Sequence, residues 1–261
     1  PPSTPPSPPP TTFPRTFQTP PSSPTSSPST KLPQTDCRAS SPTPSDYSGK
    51  AAAIAITLLR EPDKIRTQTQ IAHQSGVDQS WVSRVAKSLV ERDCVEINRV
   101  NRRGIKVVSP ACVLDACQQT YSPKVMGGHS RTFSSAARVD KIERLIADYC
   151  NKASLPYAFT AYSAAARHAS VGPYDRVVVY VDDDSAAVDL LADKLDLRPA
   201  RHGNVVIWRP SSPVVMSAVQ RLRSDCVVDP VLCYLDMWVM PGRGRDHARA
   251  FRATALPEDF V

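Results

Sequence analysis

Residues Thr67 to Val90 read TQTQIAHQSGVDQSWVSRVAKSLV, the pattern of two short helices joined by a glycine turn. Ile71 and Ala72 form the apolar side of the first helix, with Gln68, Gln70 and Gln74 mostly outward. Gly76 breaks the pattern and can take the positive φ of a sharp helix exit. Val77 can plug the angle between the helices, and Asp78 is placed to N-cap the second. Val82, Val85, Ala86 and Leu89 then fall on one helical face. The outward residues are Gln79, Ser80, Trp81, Ser83, Arg84 and Lys87. Short polar and guanidinium groups near the start of a second helix suit a DNA major groove, where they reach base edges and phosphates. Thr67 and Gln68, at the start of the first helix, complete this set of candidate contacts.

Two amphipathic helices around a glycine also occur in proteins that never touch DNA, so the next stretch matters. Cys94 to Asn98 (CVEIN) and Gly104 to Val108 (GIKVV) are strand-like. Between them lies Arg99-Val100-Asn101-Arg102-Arg103. A hairpin with a basic tip directly after a recognition helix is the wing of a winged helix. Arg99, Arg102, Arg103 and Lys106 are predicted to meet phosphates or the minor groove, rather than forming only a solvated basic loop. The charge distribution agrees. Residues 47–125 hold 12 Lys and Arg against 7 Asp and Glu, and so carry most of the chain's net charge of +7.

Composition narrows the remaining options. The first 46 residues hold 15 of the 26 prolines and are otherwise mostly Ser and Thr, so a disordered, partly polyproline II tail is expected there. The chain has seven cysteines, with no pair spaced C-x-x-C and most inside apolar runs. They read as small buried hydrophobes, and neither a disulfide framework nor a zinc site is expected. No apolar run reaches membrane-span length and no charged-then-apolar leader opens the sequence. The expected location is a reducing cytoplasm, with no membrane partner and no cofactor.

Upstream of the pair, alanine-rich Gly49 to Leu59 is predicted to be a helix behind it, ended by Glu61-Pro62-Asp63. Ser109-Pro110 caps a helix from Ala111 to about Gln119. Pro123, Gly127 and Gly128 mark a linker over residues 123–130, closing a winged-helix domain at 47–122. A second domain, 131–256, is expected, followed by a short tail at 257–261. Its predicted strands are Arg131 to Phe133, Arg176 to Val181, Val205 to Trp208 and Cys226 to Val228. The second of these is β-branched almost throughout and should be central. Predicted helices are Val139 to Lys152, with Ile142, Leu145, Ile146 and Tyr149 on one face, then Ala161 to His168, Ser185 to Leu195 and Pro230 to Met240, and a last helix ending near Thr254. Tyr157 to Thr160 starts a further segment, and Pro213 to Arg223 is ambiguous. The fold class is α+β: an N-terminal winged helix-turn-helix followed by a mixed α/β domain.

The stretch from about Arg66 to Thr254 resembles the AbiEi-type antitoxins of type IV toxin–antitoxin systems, which are bacterial regulators. The resemblance rests on the two-helix segment and on Tyr157 to Ala165 (YAFTAYSAA), Arg176 to Asp183 (RVVVYVDD) and Gly203 to Ile207 (GNVVI). Asp229 to Asp236 (DPVLCYLD) and Gly242-Arg243-Gly244 follow in the same order. It implies a repressor of its own operon's promoter. It also implies an antitoxin opposing a nucleotidyltransferase-like toxin without a tight complex.

Two alternatives remain. The same stretches resemble a nucleotidyltransferase fold, in which carboxylates two residues apart hold Mg²⁺; Asp182 and Asp184 have that spacing. However, Thr160-Ala161-Tyr162-Ser163 stands where a Gly-Ser turn should cradle phosphates. Asp182 to Asp184 reads better as a strand end and helix cap, and a degenerate fold without catalysis is expected. The other alternative is a repressor whose second domain senses a ligand or a partner protein.

Overall fold

The computed structural model describes residues 49–98, 104–122, 129–169, 172–182, 185–210 and 212–261. The Pro-rich segment, the hairpin tip with Arg99, Arg102 and Arg103, most of the expected linker and Asp184 lie outside the described residues.

The first helix, α1 (Gly49–Leu59), is buried from Ala51 through Leu59. A helix apolar on every side must be covered on every side. Here α2 (Gln68–Ser75), α3 (Gln79–Val90) and α4 (Pro110–Gln118) cover it, together with two helices of the C-terminal half described below. The alanines let these neighbours approach closely. Short strand β1 (Arg66–Thr67) precedes α2, and β2 (Val95–Asn98) and β3 (Gly104–Val107) follow α3. They form an antiparallel sheet in the order β1-β3-β2. Thr67 and Gln70 make a reciprocal capping box at the start of α2. Gly76 ends that helix with φ 65°, in the conformation predicted for it. Val82, Val85, Ala86 and Leu89 are all buried, as the spacing required.

The second half is a seven-stranded mixed sheet. Its strands are β4 (Ser130–Ser134), β5 (Tyr157–Phe159), β6 (Val177–Val181), β7 (Arg198–Pro199), β8 (Val205–Trp208), β9 (Gln220–Leu222) and β10 (Asp225–Val227). They are ordered β7-β4-β8-β6-β5-β10-β9. Every residue of β6 is buried, and the strand occupies the middle of the sheet. It runs parallel to β8 and antiparallel to β5. The helices are α5 (Val139–Ala153), α6 (Ala161–His168), α7 (Ser185–Lys194), α8 (Pro213–Met216), α9 (Pro230–Trp238) and α10 (Gly244–Ala255). Of these, α5 and α6 pack on β6, α9 on α6 and α10, and α8 and α9 on α1. The chain is therefore α+β. Among the described residues no helix is long and apolar enough to cross a membrane.

Several expectations need correction. Cys94 and Cys112 form a disulfide across 18 residues. Spacing alone could not show it, because the hairpin returns the chain from the end of α3 to the start of α4. Helix α5 turns Ile142, Glu143, Ile146, Ala147 and Cys150 inward, while Leu145 is exposed and Tyr149 half-buried. Glu143 is inside because Arg167 and Tyr174 satisfy it, at 3.1 and 3.0 Å. Ambiguous Pro213 to Arg223 divides into α8 and β9. The expected C-terminal tail contains a turn of 3₁₀ helix, Glu258–Phe260, with Phe260 buried and its carbonyl accepting from Arg252 Nε at 2.6 Å.

The halves share specific contacts. Arg60 sends Nε and NH2 to Asp229 Oδ2 at 3.0 and 2.7 Å, and NH2 also to the Val214 carbonyl at 2.6 Å. The other oxygen of Asp229 caps α9. Arg252 pairs with Asp115 at 2.5 Å. At the turn between α2 and α3, a Cβ on Gly76 would stand 2.6 Å from the Pro213 ring, so that turn rests on α8.

Candidate nucleic-acid interface

The exposed side of α3 follows from its buried side. With Val82, Val85, Ala86 and Leu89 directed inward, Gln79, Ser80, Ser83, Arg84 and Lys87 are left exposed. The helix contains no acidic residue. Two cations sit within three residues of each other on its solvent side, with small polar groups before them. Such a surface can donate to phosphates and reach base edges.

Trp81 departs from the expectation of an outward residue. It is half-buried and packs against the hydrophobic core. The Arg84 guanidinium lies 3.8 Å from its ring centre, and Lys50 Nζ lies 5.6 Å from it. The indole is thus a platform for cations rather than a free probe. A guanidinium held on an aromatic surface loses less freedom when it binds a phosphate or a base.

Asp78 occupies the N-cap position of α3, but its side chain makes no cap bond. Instead its carboxylate meets Lys50 Nζ at 3.6 Å, with both side chains more than half exposed. Lys50 was therefore missed by sequence reading. It belongs to α1, and only the three-dimensional fold brings it beside Trp81. Thr67 is committed to its capping box, and Gln68 is half-buried beside it.

On the hairpin, Lys106 is exposed and stands directly opposite Glu96 across the β2–β3 pair. The basic loop thus has an acid facing its last cation, which a sequence scan for charge runs passes over.

Asp182 is exposed after β6, with its N–H donating to the Pro156 carbonyl at 2.9 Å. The turn that would cradle phosphates is closed off: Thr160, Ala161 and Ser163 are fully buried. The Thr160 side chain makes no cap bond to α6; its hydroxyl donates to Asp236 Oδ2 at 2.5 Å. Among the described residues no cluster of three or more His, Cys, Asp or Glu is placed to hold a metal ion.

Asp236 is the centre of a buried polar group that sequence reading did not single out. It is fully buried and also accepts from Tyr180, at 3.1 Å, and from Tyr121. Burial pushes its carboxyl up to about 7, against the opposing pull of these hydroxyls. Tyr121 lies just after α4, so this carboxylate also ties the two halves together.

Comparison with protein-family models, with curated proteins and with solved structures finds no match to this chain.

Proposed function

We propose that this chain is a sequence-specific double-stranded-DNA-binding transcriptional regulator, with α1 to α4 and the small sheet acting as a winged helix-turn-helix. The observation that carries this reading is the exposed, acid-free face of α3, with Arg84 and Lys87, set between a glycine-turned partner helix and a β2–β3 hairpin. In that arrangement α3 enters the major groove and the hairpin follows the adjacent backbone. The topology β1-α2-α3-β2-β3 supports it, because the strand before the helix pair and the hairpin after it share one sheet.

The finer reading, an autorepressor that acts as the antitoxin of a type IV system, is supported by the resemblance quoted above. In that role the partner is a nucleotidyltransferase-like toxin, and the promoter is that of the chain's own operon. The second half is then a degenerate nucleotidyltransferase-like domain, a reading favoured by the buried Thr160 to Ser163 turn.

Fluorescence anisotropy with a duplex from the chain's own upstream region tests the proposal. Arg84→Ala should weaken binding by about 1–3 kcal/mol if it contacts a base edge. Lys87→Ala should reduce the slope of log K against log salt by about one. Wild-type affinity and slope in both variants would refute the assignment.

A further inference from the structure

A cavity of about 340 Å³ lies on one face of the large sheet. Its floor comes from three adjacent strands. Ser130 and Thr132 of β4 pair in register with Trp208 and Val206 of β8, and Tyr180 of β6 pairs with Trp208. Alternate residues on neighbouring strands share a face, so these side chains make a continuous, largely apolar surface. Val215, Val239 and Met240 close the apolar wall. The Tyr180 hydroxyl is committed to Asp236 and the Trp208 indole N–H to Ser130 Oγ, at 3.1 Å each. The floor therefore presents apolar surface more than donors.

The rim is cationic. Arg176, Arg201 and Arg209 line the cavity with His202, and no Asp or Glu is among the described lining residues. None of the three arginines makes an ion pair among the described residues. Arg176 Nε is buried without a hydrogen-bond partner among the described residues. A buried donor left unpaired costs about 1–3 kcal/mol. Uncompensated charge in a concave, low-dielectric site focuses an attractive field on anions. The guanidinium fork matches carboxylate and phosphate oxygens. The loop carrying Arg201 and His202 is held close to the sheet at Gly203, where a Cβ would stand 1.9 Å from the Phe133 carbonyl oxygen.

We propose that this cavity is a binding site for a small organic anion with a flat apolar ring, the ring lying on the Val206–Trp208 floor and the phosphate or carboxylate held by Arg176, Arg201 and Arg209. The volume falls in the usual range for small-molecule sites. The proposal does not depend on the DNA-binding reading, and it gives the second half of the chain a ligand.

The test is calorimetric titration of the full chain with 1-naphthyl phosphate, 1-naphthoate, 1-naphthol and inorganic phosphate. Either naphthyl anion should bind one to one, at least tenfold more tightly than naphthol or phosphate alone. Arg201 and Arg209 are exposed, so R201E/R209E should weaken the anion at least tenfold with the melting temperature unchanged. If that variant melts early, R201Q/R209Q replaces it, with a smaller loss expected. Three outcomes would overturn the proposal: no saturable binding of either anion, equal binding of naphthol or of phosphate alone, or unchanged affinity in a folded charge variant.

Discussion

The Arg84 guanidinium rests 3.8 Å from the ring centre of Trp81, one helical turn before it on α3. A cation at an exposed aromatic surface gains about 0.5–1 kcal/mol. If the stacking orders Arg84 for DNA, Trp81→Ala should weaken duplex binding about two- to fivefold, and Trp81→Phe should retain most of the affinity. Anisotropy titrations at one fixed salt concentration check this. Equal affinity of all three proteins would show that the ring does nothing for the arginine's role.

Arg60 and Asp229 should couple the stability of the two halves. Both side chains are largely buried, and Asp229 also caps α9 through the amides of Val231 and Leu232. Asp229→Ala strands a buried guanidinium and removes the cap, with an expected cost of about 3–5 kcal/mol. Asp229→Asn keeps an acceptor for the cap and should lose less. Urea unfolding followed by both tryptophan emission and circular dichroism measures the loss. Two separate transitions in the wild type would mean that the halves unfold independently.

Asp236 predicts a pH dependence whose sign follows from its raised pKa. Folded, the carboxyl titrates near 7; its ordinary value is 3.8. Below the ordinary value both states hold the proton, and the contribution to stability is fully present. As pH rises from about 4 to about 7, the unfolded chain releases that proton first, so stability falls, by a total on the order of 4 kcal/mol. Asp236→Asn, which cannot titrate, should lack this component. The difference between the two proteins' unfolding free energies from pH 4 to 8 isolates it. A constant difference would mean that Asp236 is ionised throughout that range.

How far the sequence led depends on the range of each signal. The period-3.6 pattern of Val82, Val85, Ala86 and Leu89, the φ of Gly76 and the β-branched run of β6 are local, and each is where it was expected. What was missed depends on chain reversal. Lys50 reaches Trp81 from another helix, Glu96 faces Lys106 across a hairpin, and Cys94 meets Cys112 over that same hairpin. The inward placement of Glu143 has no local sequence signal, because its partner Arg167 lies 24 residues away. The cationic cavity gave no sequence signal, since its arginines stand at positions 176, 201 and 209 on separate segments.

The Cys94–Cys112 disulfide fixes the start of β2 to the first turn of α4. Closing a loop of this length typically stabilises a protein by about 2–4 kcal/mol. Reduction, or Cys112→Ser, should lower the urea midpoint accordingly, and peptide mapping without reductant should recover the two cysteines linked. Identical midpoints with and without reductant would contradict this.

The most direct test of the central claim is site-directed photocrosslinking to a duplex from the chain's own upstream region. A benzophenone attached to a cysteine placed at Ser83, on the exposed face of α3, should crosslink to the DNA. The same label at Lys152, exposed on α5 of the other half, should not. Crosslinking at Ser83 that fades as salt rises is the expected result. DNA captured from Lys152, with none from Ser83, would contradict the assignment of α3 as the reading helix.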